Sequence, residues 1–356
     1  MNLFDYVRPT SVAEAVTAAA SADAAYLAGG TNLLDLMKGG VRHPGRLVDI
    51  TKLPGLDAVE TLADGSIRIG ALVKNADLAR DPTLLAAAPA VAEALLSGAS
   101  AQLRNAASVG GNVMQRTRCA YFYDPESACN RREPGSGCDA RGGDTRGQAI
   151  LGWSDACIAT HPSDFCVPLA ALDAVVEVAG VDGSRDLAFD ALHNLPGDDP
   201  SDETALRPGE LITAIRLPAE VRRFAPNARY LKVRERTSYA FALVSAAAAL
   251  DIADGVVSEA RLTLGAVAAK PWRAHAAETA LVGRPVTAET AREAAEAALA
   301  DARPSGDNAD KIVLATRVLA RAITLAAAGT PERMPALPGS VFAAVPAQTA
   351  TGAIHG

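Results

Sequence analysis

Four of the five cysteines, Cys119, Cys129, Cys138 and Cys157, fall in one stretch rich in arginine, glycine, proline and aspartate. Their spacing is C-x9-C-x8-C-x18-C. Thiols grouped in this way either pair with one another or ligate a common centre. Disulfides need an oxidising compartment and mostly serve chains too small to build a core. At 356 residues, this chain can build two or three cores. Structural zinc sites favour closely spaced C-x-x-C knuckles, which are absent here. An iron–sulfur cluster also takes four thiolates and tolerates looser spacing. Arg116, Arg118, Arg131, Arg132, Arg141 and Arg146 share the segment. Beside an anionic cluster they would favour thiolates and tune the potential; otherwise they form a solvated loop face. Cys166, in the apolar run FCVPLAAL, reads as a small buried hydrophobe and not as a ligand.

Two glycine turns carry a second chemistry. The first, Ala28-Gly29-Gly30-Thr31-Asn32, lies between an expected strand and an expected helix. Glycines there permit positive φ and clear side chains away, so that successive amides and a helix N-terminus can face one anion. Such a cradle suits a pyrophosphate, and the plain alternative is a tight turn without a ligand. The second turn, Ser108-Val109-Gly110-Gly111-Asn112, has the same small, hydroxyl-plus-amide character. Neither matches G-x-G-x-x-G or the Walker pattern, so neither a Rossmann nor a P-loop site is indicated. Two such turns at element boundaries suit a long dinucleotide held from both sides.

Positioning these loops requires an α/β frame. Ser11 is placed to cap a helix to residue 20, followed by a strand at 24–28, a helix at 31–37 and a strand at 46–50. A second unit starts near Leu56, with a strand at 66–70, helices at 74–79 and 89–103, and strands at 170–178 and 210–217. Residues 221–227 read as a linker. Three antiparallel strands at 229–233, 240–252 and 259–267 then precede helices at 287–301 and 307–328. Strands followed by helices mark an α+β domain. The expected units are 1–55, 56–222 with a cysteine-rich insertion at 116–160, and 228–330. A loosely held tail covers 331–356.

The net charge of −7 argues against a nucleic-acid partner. No apolar run is long enough for membrane insertion. The N-terminus MNLFDYVRPTSVAEAV has no signal of its own. The expected location is cytoplasmic, or periplasmic by co-export with a signal-bearing partner.

AGGTNLLDLMK, IGALV, QLRNAASVGGN, THPSD, GELI, YLKVRERTSYAFALV and GAVAAKPWR together resemble the FAD-binding subunits of the molybdenum hydroxylases, the xanthine dehydrogenase and aldehyde oxidoreductase family. The resemblance covers about residues 1–330. It implies an α+β fold: a two-part FAD-binding domain of the PCMH type, then a C-terminal α+β domain with a three-stranded antiparallel sheet. In most members the GGN loop runs almost directly into the Ser-Asp pair. Here the segment between Gln115 and Ser163 intervenes. That departure resembles the subgroup with an extra [4Fe–4S] cluster, found in periplasmic-type aldehyde oxidoreductases and in 4-hydroxybenzoyl-CoA reductase. The aldehyde oxidoreductase flavoproteins are the nearer likeness.

By that resemblance, Leu27, Ala28, Gly29, Gly30, Thr31, Asn32 and Leu33 hold the FAD pyrophosphate. Ser108, Gly111 and Asn112 make the second phosphate and ribityl contact. Asp164 accepts from FAD hydroxyls, and Ile212 and Lys232 sit near the isoalloxazine. Cys119, Cys129, Cys138 and Cys157 ligate the cluster, and no side chain is catalytic, because the flavin carries the redox chemistry. The implied partners are a small [2Fe–2S] subunit and a large molybdenum-cofactor subunit of a heterotrimer. Electrons from the [2Fe–2S] centres would leave through FAD to an external acceptor. The alternatives are a stand-alone flavin oxidoreductase, the flavin subunit of an aryl-CoA reductase, and a zinc-stabilised interaction module.

Overall fold

A computed structural model describes residues 2–21 and 23–332. The expected tail therefore lies, from residue 333 onward, outside the described residues. The first unit is a three-stranded parallel sheet in the order β1-β3-β2, formed by Asp5–Val7 (β1), Ala24–Leu27 (β2) and Arg46–Asp49 (β3). Helices Val12–Ala19 (α1) and Leu33–Lys38 (α2) connect the strands. Ser11 caps α1 by accepting from the Glu14 amide. Asp49 closes the C-terminal end of β3. Its Oδ1 accepts from the Thr51 amide at 2.9 Å, and its Oδ2 from Tyr6 Oη and from Arg8 Nε at 3.0 Å.

The second unit is a five-stranded antiparallel sheet. It joins Val59–Thr61 (β4), Ile67–Gly70 (β5), Val175–Gly180 (β6), Gly183–Ala188 (β7) and Leu211–Leu217 (β8) in the order β4-β5-β8-β6-β7. Short helices cover it: Asn75–Leu78 (α3), Pro82–Ala87 (α4), Pro89–Ser97 (α5), Ala101–Ala106 (α6) and Val109–Val113 (α7), then, after Ala120–Tyr123 (α8), which packs inside the cysteine-rich insertion, Cys166–Ala171 (α9). The single helix expected at 89–103 is two. Gly98 ends α5, Ala99 takes φ 51°, and Ser100 caps α6 through the Leu103 amide. The strand expected from 170 starts at Val175, because α9 runs to Ala171 and Asp173 turns the chain at φ 50°. The hairpin partner β7 carries polar residues on its exposed positions and gave no apolar alternation to read.

The expected linker is a 3-10 segment, Ala219–Asn227. Beyond it lie Ala228–Val233 (β9), Val244–Ala253 (β10) and Val256–Gly265 (β11). The two-residue Trp272–Arg273 (β12) extends their antiparallel sheet to β12-β11-β10-β9. Helices His275–Leu281 (α10), Ala288–Ala298 (α11) and Ala309–Ala327 (α12) follow. The alanine run of β10 has a physical reason. Ala246, Ala248 and Leu250 pack into the core shared with α10–α12, whereas Ala247 and Ala249 face the core of the second unit. A strand covered on both faces at close range takes small side chains. No helix among the described residues is long and apolar enough to cross a membrane.

Replacing Asp49 by Ala should cost about 2–3 kcal/mol in denaturant unfolding, since hydrogen bonds to a buried charge are lost. Burial opposes the Asp49 charge, but the bonds from Thr51 and Tyr6 outweigh it and hold the carboxyl well below its ordinary value. The stabilisation is therefore complete above that ordinary value, near 3.8, and is lost as pH falls below it. Asp49→Asn should flatten this acid limb of the stability profile.

Candidate functional site

The two glycine turns meet. Gly29 lies against the C-terminal end of α6, where a Cβ would stand 2.1 Å from the Ala106 carbonyl oxygen. Gly30 takes φ 72°. None of the backbone N–H groups of residues 28–33 donates to a protein acceptor among the described residues. A half-buried row of free amides ahead of a helix is what an anionic ligand needs. Of the residues expected to cradle a pyrophosphate, 28–33 therefore form one donor-rich strip.

The second turn is built differently. Its amides are already used: Val109 donates to Val73 O, Gly110 to Ala71 O, Gly111 to Ser108 Oγ and Asn112 to Ser108 O. What it offers is side chains. Asn112 Oδ1 accepts from Ser163 Oγ at 2.8 Å and from Gln115 Nε2 at 2.6 Å, which leaves the Asn112 amide nitrogen as a donor. Ile212 is buried in the core of the second unit, so its side chain belongs to packing. Its neighbour Thr213 accepts from the Ala71 amide, which places β8 beneath this turn.

Asp164 and Lys232 were expected to serve different parts of one ligand. They are bonded to each other, Lys232 Nζ to Asp164 Oδ2 at 2.8 Å, with side chains 4 % and 7 % exposed. Tyr230 Oη donates to Asp164 Oδ1 at 2.6 Å, and Lys232 also reaches Ser97 O at 3.2 Å. Tyr230 escaped the sequence reading because an aromatic at an inward strand position looks like core. Its amide accepts no such description: it donates to Glu93 Oε2 at 2.7 Å, and Glu93 also pairs with Arg229.

The four clustered thiols line one small cavity, together with Thr117, Phe122, Asn130 and Arg131. All five cysteines are unpaired, so no disulfide forms. A tetrahedral zinc with bonds of about 2.3 Å holds thiolates about 3.8 Å apart. No three of these four sulfurs lie within 4.8 Å of one another; among the described residues only a different trio meets that criterion. As they stand, the thiols are thus set too far apart for one zinc ion to join three of them. Burial pushes Cys119 and Cys138 up from the ordinary thiol value, and neighbouring thiolates add to it.

The six arginines play different parts, and Arg118 donates to Tyr123 Oη at 2.7 Å. Arg141 and Arg146 are surface partners of Asp155 and Asp144. Arg132 is spent on the carbonyls of Tyr121, Phe122 and Pro125. Arg116 and Arg131 instead converge on Glu203, at 2.6 and 3.2 Å. Burial works against the Arg131 charge, yet Glu203 and Cys157 more than restore it and raise its pKa. The Arg116 amide donates to Asn32 Oδ1 at 3.0 Å. A continuous polar path therefore joins Cys157, Arg131, Glu203 and Arg116 to the first glycine turn. Glu203 sits in a loop without a motif, and nothing in the sequence marked it.

Comparison with known proteins follows the same division. Residues 2–220 match the family described as FAD binding domain in molybdopterin dehydrogenase, and residues 229–324 the CO dehydrogenase flavoprotein C-terminal domain. The aldehyde oxidoreductase FAD-binding subunit PaoB of Escherichia coli is 46 % identical, over 92 % of this chain and 99 % of its own. The carbon monoxide dehydrogenase medium chain of Hydrogenophaga pseudoflava is 28 % identical over 91 % of this chain and 96 % of its own. Among solved structures, quinoline 2-oxidoreductase from Pseudomonas putida 86 superposes with a TM-score of 0.71 at 25 % identity, covering 92 % of this chain and 99 % of that one.

Gly29→Ala should lower the FAD-to-protein ratio of the purified chain more than tenfold, because its Cβ would displace the strip of free amides. Gly142→Ala, which meets nothing within 4 Å, should leave the ratio unchanged. Flavin fluorescence after denaturation reads both, and full FAD retention in Gly29→Ala would refute the assignment.

Proposed function

This chain belongs to the FAD-binding subunits of the molybdenum hydroxylases, and we propose that it is the electron-exit subunit of an aldehyde-oxidising complex. The complex joins it to a small [2Fe–2S] subunit and a large molybdenum-cofactor subunit. FAD, when bound, supplies the exchange of electrons between the partner's iron–sulfur centres and an external acceptor. The residues of this chain orient and insulate that group. The amides of 28–33 receive the pyrophosphate, Ser108 and Asn112 contribute side-chain donors, and the Asp164–Lys232 pair presents one fixed acid and one fixed cation. A lysine held there can stabilise negative charge on a reduced ring.

The same chain holds a [4Fe–4S] cluster on Cys119, Cys129, Cys138 and Cys157. The observation that supports this most is the shared cavity, whose thiols are set too widely for one zinc ion. Arg131, in contact with Cys157 and pinned by Glu203, sets a fixed positive charge beside that ligand. Similarity to PaoB supports aldehyde as the substrate class, and that choice is made on the large partner.

Co-expressed with its large and small partners, the chain should co-purify with both. Anaerobic addition of an aldehyde should then bleach the visible flavin band of the complex, while the isolated chain stays oxidised. Bleaching of the isolated chain by aldehyde alone would contradict the proposal and favour a stand-alone flavoenzyme.

A further inference from the structure

Beside the second glycine turn, and apart from the four-thiol cavity, His161, Cys166 and His193 come together. Their ligand atoms lie within 4.8 Å of one another, and all three residues are buried. His161 and His193 are 8 % and 7 % exposed, and their rings meet edge to face at 4.4 Å between centroids. Each ring keeps one buried nitrogen without a hydrogen-bond partner, Nε2 of His161 and Nδ1 of His193. Buried polar atoms are rarely left unpaired, so two orphans in one trio with a thiol call for an occupant.

The surroundings fit a metal. His193 Nε2 lies 3.0 Å from the Val113 carbonyl. A carbonyl only accepts, so the proton sits on Nε2 and the lone pair of Nδ1 is free. That is the arrangement of a metal-bound histidine, with its second nitrogen fixed by a backbone carbonyl. Burial keeps both rings neutral. His161 Nδ1 accepts from the Ser163 amide at 3.3 Å, so a metal at Nε2 requires the ring proton on Nδ1 and the loss of that long bond. An opening is lined by both histidines together with Gln115, Thr117 and Thr204, which provides an entry path. Two imidazoles and a thiol within this distance suit a thiophilic ion of tetrahedral habit.

We propose that His161 Nε2, His193 Nδ1 and Cys166 Sγ bind one zinc ion, with water from the adjoining opening as the fourth ligand. On binding, the Cys166 thiol releases its proton to solvent and the metal–sulfur bond forms without any redox change. The ion ties the segment leading from Cys157 to Asp164 onto the loop of His193 and the end of α7. This site shares no ligand residue with the four-thiol cavity or with the residues assigned to FAD.

The test is zinc itself, supplied to the full-length chain and followed by removal of loose metal with a chelator. Elemental analysis should find one retained zinc per chain. X-ray absorption at the zinc edge, which does not register iron, should find two imidazoles and a single sulfur. His193→Gln and Cys166→Ala should each lower retained zinc at least tenfold while FAD content, which reports folding, is kept. If His193→Gln fails to keep FAD, the zinc-edge spectrum of the unaltered chain still decides. Absence of retained zinc, or a spectrum of four sulfurs placing it in the four-thiol cavity, would overturn the proposal. Zinc retained undiminished in either variant would do the same.

Discussion

The buried pair of Asp164 and Lys232 is the constraint on which the rest of the arrangement rests. Moving each charge out of water costs several kcal/mol, so neither is tolerable without the other. The acid comes from the chain just ahead of α9 and the base from β9, in different units, so the pair is satisfied only when those units are docked. Tyr230 and Ser97 complete the hydrogen bonding and fix the orientation of both heads. Because Ser163 stands next to Asp164 and bonds Asn112, docking the units also sets the second glycine turn. A charged pair presented in one geometry, between two cores, makes the ligand cleft a property of the whole chain.

The cysteine-rich insertion acts as a strap across the same units. Its start packs Phe122 and Cys129 against Leu36 of α2. Its end places Ile150 and Leu151 in the core of the C-terminal unit, and Lys311 of α12 donates to the carbonyls of Gly147 and Gln148. Burial pushes the Lys311 amine down to about 7, a cost accepted for holding that end. Between these anchors, the run Arg131–Glu203–Arg116–Asn32 ties the thiol cavity to the free amides of the first turn. The thiol cavity and the first glycine turn are thus neighbours braced by one ion network.

Much of this was legible in the sequence where local chemistry is decisive. Alternating apolar residues marked β5, apolar runs marked β8 and β10, and glycine pairs marked both turns, because close backbone approach leaves few other choices. The Cys, Gly and Asp types that the resemblance pointed to are brought to two adjoining places. What escaped depended on distant partners. Glu203 and Tyr230 acquire meaning only from what the fold sets beside them. Cys166 did read as a buried hydrophobe, and it is fully buried; the two imidazoles beside it were invisible because His161 and His193 are far apart in the chain. Ala99, in the left-handed region, split a helix that periodicity alone would have continued.

The central claim is that one chain holds a flavin and an iron–sulfur cluster side by side. Chemical analysis of the anaerobically purified full-length chain for iron, acid-labile sulfide and flavin tests it most directly. The account predicts about four irons, about four sulfides and one FAD per chain, by the composition of a four-thiolate cubane. One FAD accompanied by zinc, without acid-labile sulfide, would contradict it.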